Sequence, residues 1–291
     1  MTCDPSKDFP PFSEAGLLVH ITFHVAPHRL RFLRQVLDAA ETYRFRSVDV
    51  VVDANADHPV LAALTGRRDD VVAIQTDIHP GLEDPHRLAW CHRAHVGAMC
   101  DAYDYFMYVE DDVLVSAAAL TRWREDSMRL APHGYRRGFL RVETTPGGVR
   151  VCTDQKRPAH RRRLRRLGPA TFLALPNPYC ACWLYSRSQL RQFMAMPIWD
   201  PRLNTAFATR EAAACGMISD PRGDHRVLIP VNGDESIPDQ AFINHLPNNY
   251  AADASTRFGS LPVHKLLRRG LVRRSVERAA LQLRLGVPAG A

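Results

Sequence analysis

The 291-residue chain has no apolar stretch close to the roughly 20 residues needed to span a bilayer. Its start, Met1 to Phe12, carries prolines and acids but no basic leader segment and no long apolar core, so no secretory signal is read there. None of its seven cysteines forms a Cys-x-x-Cys pair. Cys91, His92 and His95, and the pair Cys180 and Cys182, lack the spacing of a structural zinc site. Cysteines without a secretory signal predict reduced thiols and a cytoplasmic location. The phosphate-binding Gly-x-x-x-x-Gly-Lys pattern is absent, as is Gly-x-Gly-x-x-Gly after the first apolar run and the Gly-x-Ser-x-Gly nucleophile turn. These absences remove support for P-loop kinases, dinucleotide-dependent dehydrogenases and α/β-hydrolases.

What is present is ordinary globular composition, 46% hydrophobic and 24% charged, with a net charge of +7. The charge is uneven. Lys156, Arg157, Arg161, Arg162, Arg163, Arg165 and Arg166 form one basic run, and Lys265, Arg268, Arg269, Arg273, Arg274, Arg278 and Arg284 stud the tail. Together these carry more positive charge than the whole chain, so the remaining body is net acidic. Such segments attract polyanions, whether phosphates, anionic lipid headgroups or nucleic acid. The run contains no aromatic residue for base stacking, which argues against nucleic acid. The tail has apolar residues at helical spacing between its arginines, which fits either a helix docked on the body or one lying on an anionic membrane surface.

Apolar runs at Leu17–Phe23, Val48–Val52, Val71–Gln75 and Tyr105–Val109 read as strands. They alternate with helical patterns at Arg29–Tyr43, after Pro59, and at Pro85–Cys100. This predicts an α/β fold with a mostly parallel sheet flanked by helices. The second half reads less regularly. A hairpin is expected about Pro146-Gly147-Gly148, a strand at Tyr179–Tyr185, helices at Ser188–Met194 and Glu211–Gly216, a strand at Val227–Pro230 and a helix from Pro238 to Leu246. The expected organisation is one domain over 13–264, split into a nucleotide-binding half at 13–116 and an acceptor-binding half at 117–264, with a basic tail at 265–291.

Three carboxylates, Glu110-Asp111-Asp112, follow the fourth strand. Ligands of open parallel sheets gather beyond the carboxyl ends of the strands. Adjacent carboxylates repel, and a hard divalent cation relieves that repulsion while keeping room for phosphate oxygens. An isolated acidic triplet could equally be a solvated turn or a helix start. Here it ends a buried strand, in the sequence Tyr108-Val109-Glu110-Asp111-Asp112-Val113-Leu114-Val115.

In that context the chain resembles the GT-A class of nucleotide-sugar glycosyltransferases, whose Asp-x-Asp motif, often varied to Glu-Asp-Asp, follows an apolar strand at about this distance from the first. The resemblance covers roughly Leu17 to Tyr250. It implies Mn²⁺ or Mg²⁺ as cofactor, Asp112 as a direct metal ligand, and Glu110 facing the ribose or assisting through water, with Asp111 beside them. It also implies nucleotide contacts from the loop after the first strand, His24 and Val25, and from the end of the second, Asp53 and Asn55. Arg87, His92 and Arg93 precede the acidic strand and could neutralise a diphosphate. A late histidine is expected as a further metal ligand, with His245 preferred to His264. A base for the acceptor hydroxyl is sought in Gly233 to Gln240, where Asp239 and Glu235 are the candidates and a helix-start acid is the competing role for Asp239. The implied partners are a nucleotide-sugar donor, UDP-linked, and a glycan or lipid-linked acceptor on the inner face of a membrane. The alternatives are a metal-dependent nucleotidyltransferase or diphosphatase, and a non-catalytic polyanion-binding protein.

Overall fold

A computed structural model describes residues 5–67, 69–218, 225–253 and 259–267. The basic tail from 268 onward lies outside the described residues. Four apolar runs form the parallel centre of a six-stranded sheet, in the order Tyr105–Glu110, Gly16–Phe23, Ser47–Ala54 and Val72–Ile78. The residues of Tyr105–Glu110, Gly16–Phe23 and Ser47–Ala54 are mostly buried, as expected for strands covered on both faces, whereas Val72–Ile78 is exposed at Gln75 and Asp77. Antiparallel strands close both edges, Cys182–Ser186 beside Tyr105–Glu110 and Gly66–Arg67 beside Val72–Ile78. The protein is thus α/β, with mixed sheets.

The register sets one row near the carboxyl ends of the parallel strands: Asp77 opposite Asp53, Asp53 opposite Thr22, and Thr22 opposite Glu110. Side chains alternate between faces along a strand, so this row puts three carboxyls and a hydroxyl on one face. The helix Leu30–Ala40 packs on the core through Leu33, Val36, Leu37 and Ala40, the spacing its sequence predicts. Among the described residues, no helix is long and apolar enough to cross a membrane, and the six described cysteines are free.

A second sheet of five strands carries the late histidine. Its order is Leu261–Pro262, Arg150–Cys152, Leu140–Thr144, Phe242–His245 and Val113–Leu114. The expected helix from Pro238 to Leu246 is therefore incorrect. Asp239–Ala241 is a single 3₁₀ turn and Phe242–His245 is a strand, paired with Leu140–Thr144 and with Val113–Leu114. Phe-Ile-Asn-His is too short for its periodicity to decide, and two waiting strand edges settle it.

The basic run contains both a short helical turn and a strand. Arg161–Arg163 is a 3₁₀ turn, and Leu164–Leu167 pairs with Ala170–Ala174 in a hairpin turning at Gly168, whose φ is +58°. The longest described helix, Ala117–Leu130, has no counterpart among the sequence expectations. Ser116 caps it by accepting from the Ala119 amide, and it buries Leu120, Trp123 and Leu130.

Candidate active site at the acidic turn

Asp111 and Asp112 form the turn between Tyr105–Glu110 and Val113–Leu114. The Asp111 amide donates to the Thr22 carbonyl at 3.2 Å and the Leu246 amide to the Asp112 carbonyl at 2.8 Å, which fixes the turn against both sheets. All three carboxylates are buried, Glu110 to 7%, Asp111 to 3% and Asp112 to 4% exposure. Buried charges need partners. Arg29 supplies a fork to Asp111, Nε to Oδ2 at 2.9 Å and Nη2 to Oδ1 at 2.6 Å, and the same Nη2 donates to Asp112 Oδ2 at 2.9 Å. The Glu110 Oε1 atom lies 3.6 Å from Arg210 Nε.

His245 stands beside Asp112, Nε2 to Oδ2 at 3.5 Å, because its strand pairs His245 with Val113. Its Nδ1 donates to Glu143 Oε1 at 2.5 Å, and the second Glu143 oxygen accepts from the Ala251 amide at 2.5 Å. Tyr250 stacks on the imidazole with ring centroids 5.3 Å apart. Burial lowers the imidazole pKa, but hydrogen bonds to Asp112 and Glu143 outweigh it and raise it, so Nε2 would give its lone pair to a metal only as the ion displaces the proton there.

Burial raises the Glu110 carboxyl above its usual range, with Arg210 opposing and Asp112 adding to the rise. Burial likewise raises Asp111, against the hydrogen bonds from Arg29. Burial works in the same direction at Asp112, but His245 and Arg29 outweigh it and hold that carboxyl below its usual range. Asp112 is thus the carboxyl held below its usual range, while burial raises the other two. Glu110 Oε1 and Asp112 Oδ1 are buried and have no hydrogen-bond partner among the described residues. An orphaned Asp112 oxygen with an imidazole beside it offers atoms that could enter a divalent metal's shell.

The turn opens into a pocket of about 390 Å³ lined by Thr22, His24, Arg29, Glu110 and Arg210, with the 3₁₀ turn Pro85–Trp90 as its opposite wall. His24 is therefore where a ligand would meet the first loop. Arg93 has a different role from the expected phosphate contact. It is buried, stacks over Phe193 and Trp199, and donates to the carbonyls of Ala213 at 2.6 Å and Trp199 at 3.3 Å. It anchors the helix Thr209–Ala214, which Trp90 also holds through Nε1 to the Thr209 carbonyl at 2.7 Å, and that helix carries Arg210 to Glu110. Arg87 is exposed and lies over the Trp90 ring.

Asn55 and Asp53 are used internally. Asn55 Oδ1 accepts from the Val25 amide at 2.7 Å, tying the first two loops together. Asp53 is 1% exposed and accepts from His20 at 2.7 Å and His79 at 3.0 Å. His92 is fully buried against Tyr108, with Nδ1 donating to the Ala89 carbonyl at 2.7 Å. Burial, then Arg93 and His20, lowers its pKa well below the usual value. A depressed histidine contributes stability above its unfolded pKa of about 6.5, and that contribution is lost as pH falls, because the unfolded chain takes a proton the folded one refuses. Denaturant unfolding at pH 7 and 5.5 should show the His92→Asn variant losing about 1.4 kcal/mol less than the parent between those values. Equal losses would mean that His92 is neutral in neither state's favour.

The structure does not bring Asp239 or Glu235 to the acidic turn. Asp239 is 78% exposed and pairs with Arg150 at 2.6 Å, and Glu235 pairs with Arg161. Asp239 opens the 3₁₀ turn and His245 ends the strand after it, about 10 Å away along the strand alone at roughly 3.3 Å per residue. Asp239→Asn and Glu235→Gln are accordingly expected to leave donor affinity and turnover within about twofold of the parent, as for surface changes. A loss of turnover of about 100-fold or more in either, read by single-turnover kinetics, would restore it as the base. His264 is exposed and lines a separate pocket with Glu235 and Arg150, leaving His245 as the histidine at the turn.

Sequence reading missed Arg29, Arg210 and Glu143. Arg29 had one legible signal: a cation at a helix start, with no acid in the first turn, opposes the helix dipole and needs a partner elsewhere. Glu143 sits in Leu140-Arg141-Val142-Glu143, where charges inside an apolar strand announce buried partners, here Asp154 for Arg141 and His245 for Glu143. Comparison of the chain with protein-family models and with curated proteins gave no match.

Proposed function

We propose that this chain is a metal-dependent glycosyltransferase of the GT-A type, moving a sugar from a nucleoside diphosphate donor, UDP-linked, to a hydroxyl of a glycan or lipid-linked acceptor. The observation that carries the reading is His245 Nε2 held 3.5 Å from Asp112, beside the orphaned oxygens of Asp112 and Glu110, at the carboxyl end of the parallel strand Tyr105–Glu110. Asp112 and His245 would hold the ion, with Glu143 fixing the imidazole. The ion would supply Lewis-acid stabilisation of the departing diphosphate. Arg210, half-exposed in the adjoining pocket, would offer its guanidinium to phosphate oxygens, while Arg29 holds Asp111 and Asp112 in place. His24 and the turn Pro85–Trp90 would enclose the nucleoside. The acceptor and any contact of the basic tail with an anionic membrane rest on sequence alone.

The test is a thermal-shift panel of nucleotides and nucleotide sugars on the full chain. UDP is expected to raise the melting temperature only with Mn²⁺ or Mg²⁺ present, by the equivalent of about 2.7 kcal/mol at a hundredfold excess over its dissociation constant. Release of UMP and sugar 1-phosphate from the donor would favour a diphosphatase, and formation of UTP and sugar 1-phosphate with added pyrophosphate a nucleotidyltransferase. Stabilisation by polyanions regardless of metal, with none from UDP, would favour the binding protein.

A further inference from the structure

A second group of ligand atoms lies in the same row of the sheet, two strands from Glu110. Asp53 and Asp77 face each other across neighbouring parallel strands, and His79 follows the second of them. His79 Nε2 is 3.0 Å from Asp53 Oδ1 and 3.5 Å from Asp77 Oδ2, and one ligand atom from each of the three lies within 4.8 Å of the others. A tetrahedral ion with arms of about 2.1 Å separates its ligand atoms by about 3.4 Å. The two measured separations already fall on either side of that value.

The surroundings suit an ion. The other oxygen of Asp53 accepts from His20 Nδ1 at 2.7 Å, and His20 Nε2 lies 3.0 Å from His95 Nδ1, so the carboxylate is oriented from behind. His20 and Asp53 are buried, at 0% and 1% exposure, whereas the Asp77 and His79 side chains are 56% and 21% exposed. The cluster therefore has a rigid inner side and an open outer side through which an ion and a water can enter.

We propose that Asp53, Asp77 and His79 form a second metal site, for a first-row transition ion of the Zn²⁺ class, with an open fourth position. An imidazole with two carboxylates at four-coordinate spacing suits a first-row transition ion such as Zn²⁺ or Co²⁺, and suits Ca²⁺, which takes about six to eight oxygens, less well. The site is separate from the acidic turn. Asp53 and Glu110 are two strands apart, about 10 Å at roughly 4.8 Å per strand, whereas ions that share one reacting group sit about 3.5–4 Å apart. A bound ion would clamp the ends of the second and third parallel strands. The competing arrangement is a plain ion pair with His79 protonated. The inference does not depend on the donor assignment.

The experiment is calorimetric titration of the full chain with Zn²⁺, with visible absorption of the Co²⁺ form as a coordination readout. Asp112→Asn is expected to keep one equivalent of bound Zn²⁺. In that background His79→Ala should lose it, together with the Co²⁺ bands, and Asp77→Asn, a change at a half-exposed position, should weaken it at least about tenfold. Uptake unaffected by both substitutions would overturn the site. So would loss of all Zn²⁺ in Asp112→Asn alone, which would assign the ion to the acidic turn.

Discussion

Asp112→Asn is expected to lower Mn²⁺-dependent affinity for UDP at least about 100-fold while leaving the chain folded. Changes to groups that only orient a metal ligand cost about 10–100-fold, and Asp112 would be the ligand itself. Its place in the charge pattern makes the effect specific. Of the three carboxylates it alone is held below its usual range, by His245 and Arg29. The amide keeps the shape and can still accept from Arg29, but it offers a neutral oxygen to the ion. Because the folded carboxyl is the more acidic, Asp112 contributes stability above its unfolded pKa of about 3.9, and the substitution removes that contribution at neutral pH. Circular dichroism and a melting curve should accompany the calorimetry. Glu143→Gln is the companion variant. It weakens the hold on His245 Nδ1 without touching the turn, and should cost about 10–100-fold in the metal-dependent part of binding. Parental affinity in Asp112→Asn under saturating Mn²⁺ would remove the acidic turn from the nucleotide site.

What the sequence displayed, and what it hid, follows from the range of the interactions. Gly16–Phe23, Ser47–Ala54 and Tyr105–Glu110 were legible because strands buried on both faces read as near-continuous apolar runs, and Val72–Ile78 through its apolar start alone. Glu110, Asp111 and Asp112 were legible because they are consecutive. The helix Ala117–Leu130 was not, because buried Asp126 and Ser127 interrupt its apolar stripe, and Asp126 is buried against Arg137 beyond the helix. His245 was found as a residue type, but its strand was taken for a helix, since its partners Val113 and Leu140–Val142 lie about a hundred residues away. Arg93 looked like a phosphate contact because a buried arginine among aromatic rings cannot be told from an exposed one by sequence. Asp53 looked like a ligand for a base, and the fold faces it toward two histidines.

The largest stability loss should come from the buried ion pair that sets where His245 sits. Arg137 and Asp126 have side chains with 0% exposure and meet at 3.1 Å, Nε to Oδ2. Arg137 Nη2 also donates to the Gln240 carbonyl at 3.2 Å, and the Trp123 indole donates to the Arg137 carbonyl at 3.0 Å. The pair therefore joins the helix Ala117–Leu130 to the 3₁₀ turn from which the strand Phe242–His245 departs. Burial lowers the Arg137 pKa to about 10, so the guanidinium keeps its charge at neutral pH and must keep a partner. Asp126→Ala would strand that charge, and breaking such a pair from one side costs about 3–5 kcal/mol. Replacing both partners with apolar groups, as in Asp126→Leu with Arg137→Met, should recover much of the loss, since no buried charge is then left alone. Denaturant unfolding of the single and double variants measures both quantities. A cost below about 1 kcal/mol for Asp126→Ala would mean that water reaches Arg137 in the folded state. The same variant carries a functional expectation. With the Gln240 carbonyl less firmly held, His245 loses part of its fixed distance to Asp112, so metal-dependent nucleotide binding should weaken, though less than in Asp112→Asn. Undiminished binding in a destabilised Asp126→Ala protein would show that pairing with Val113 and Leu140–Thr144 suffices to place His245, and that the ion pair serves stability alone.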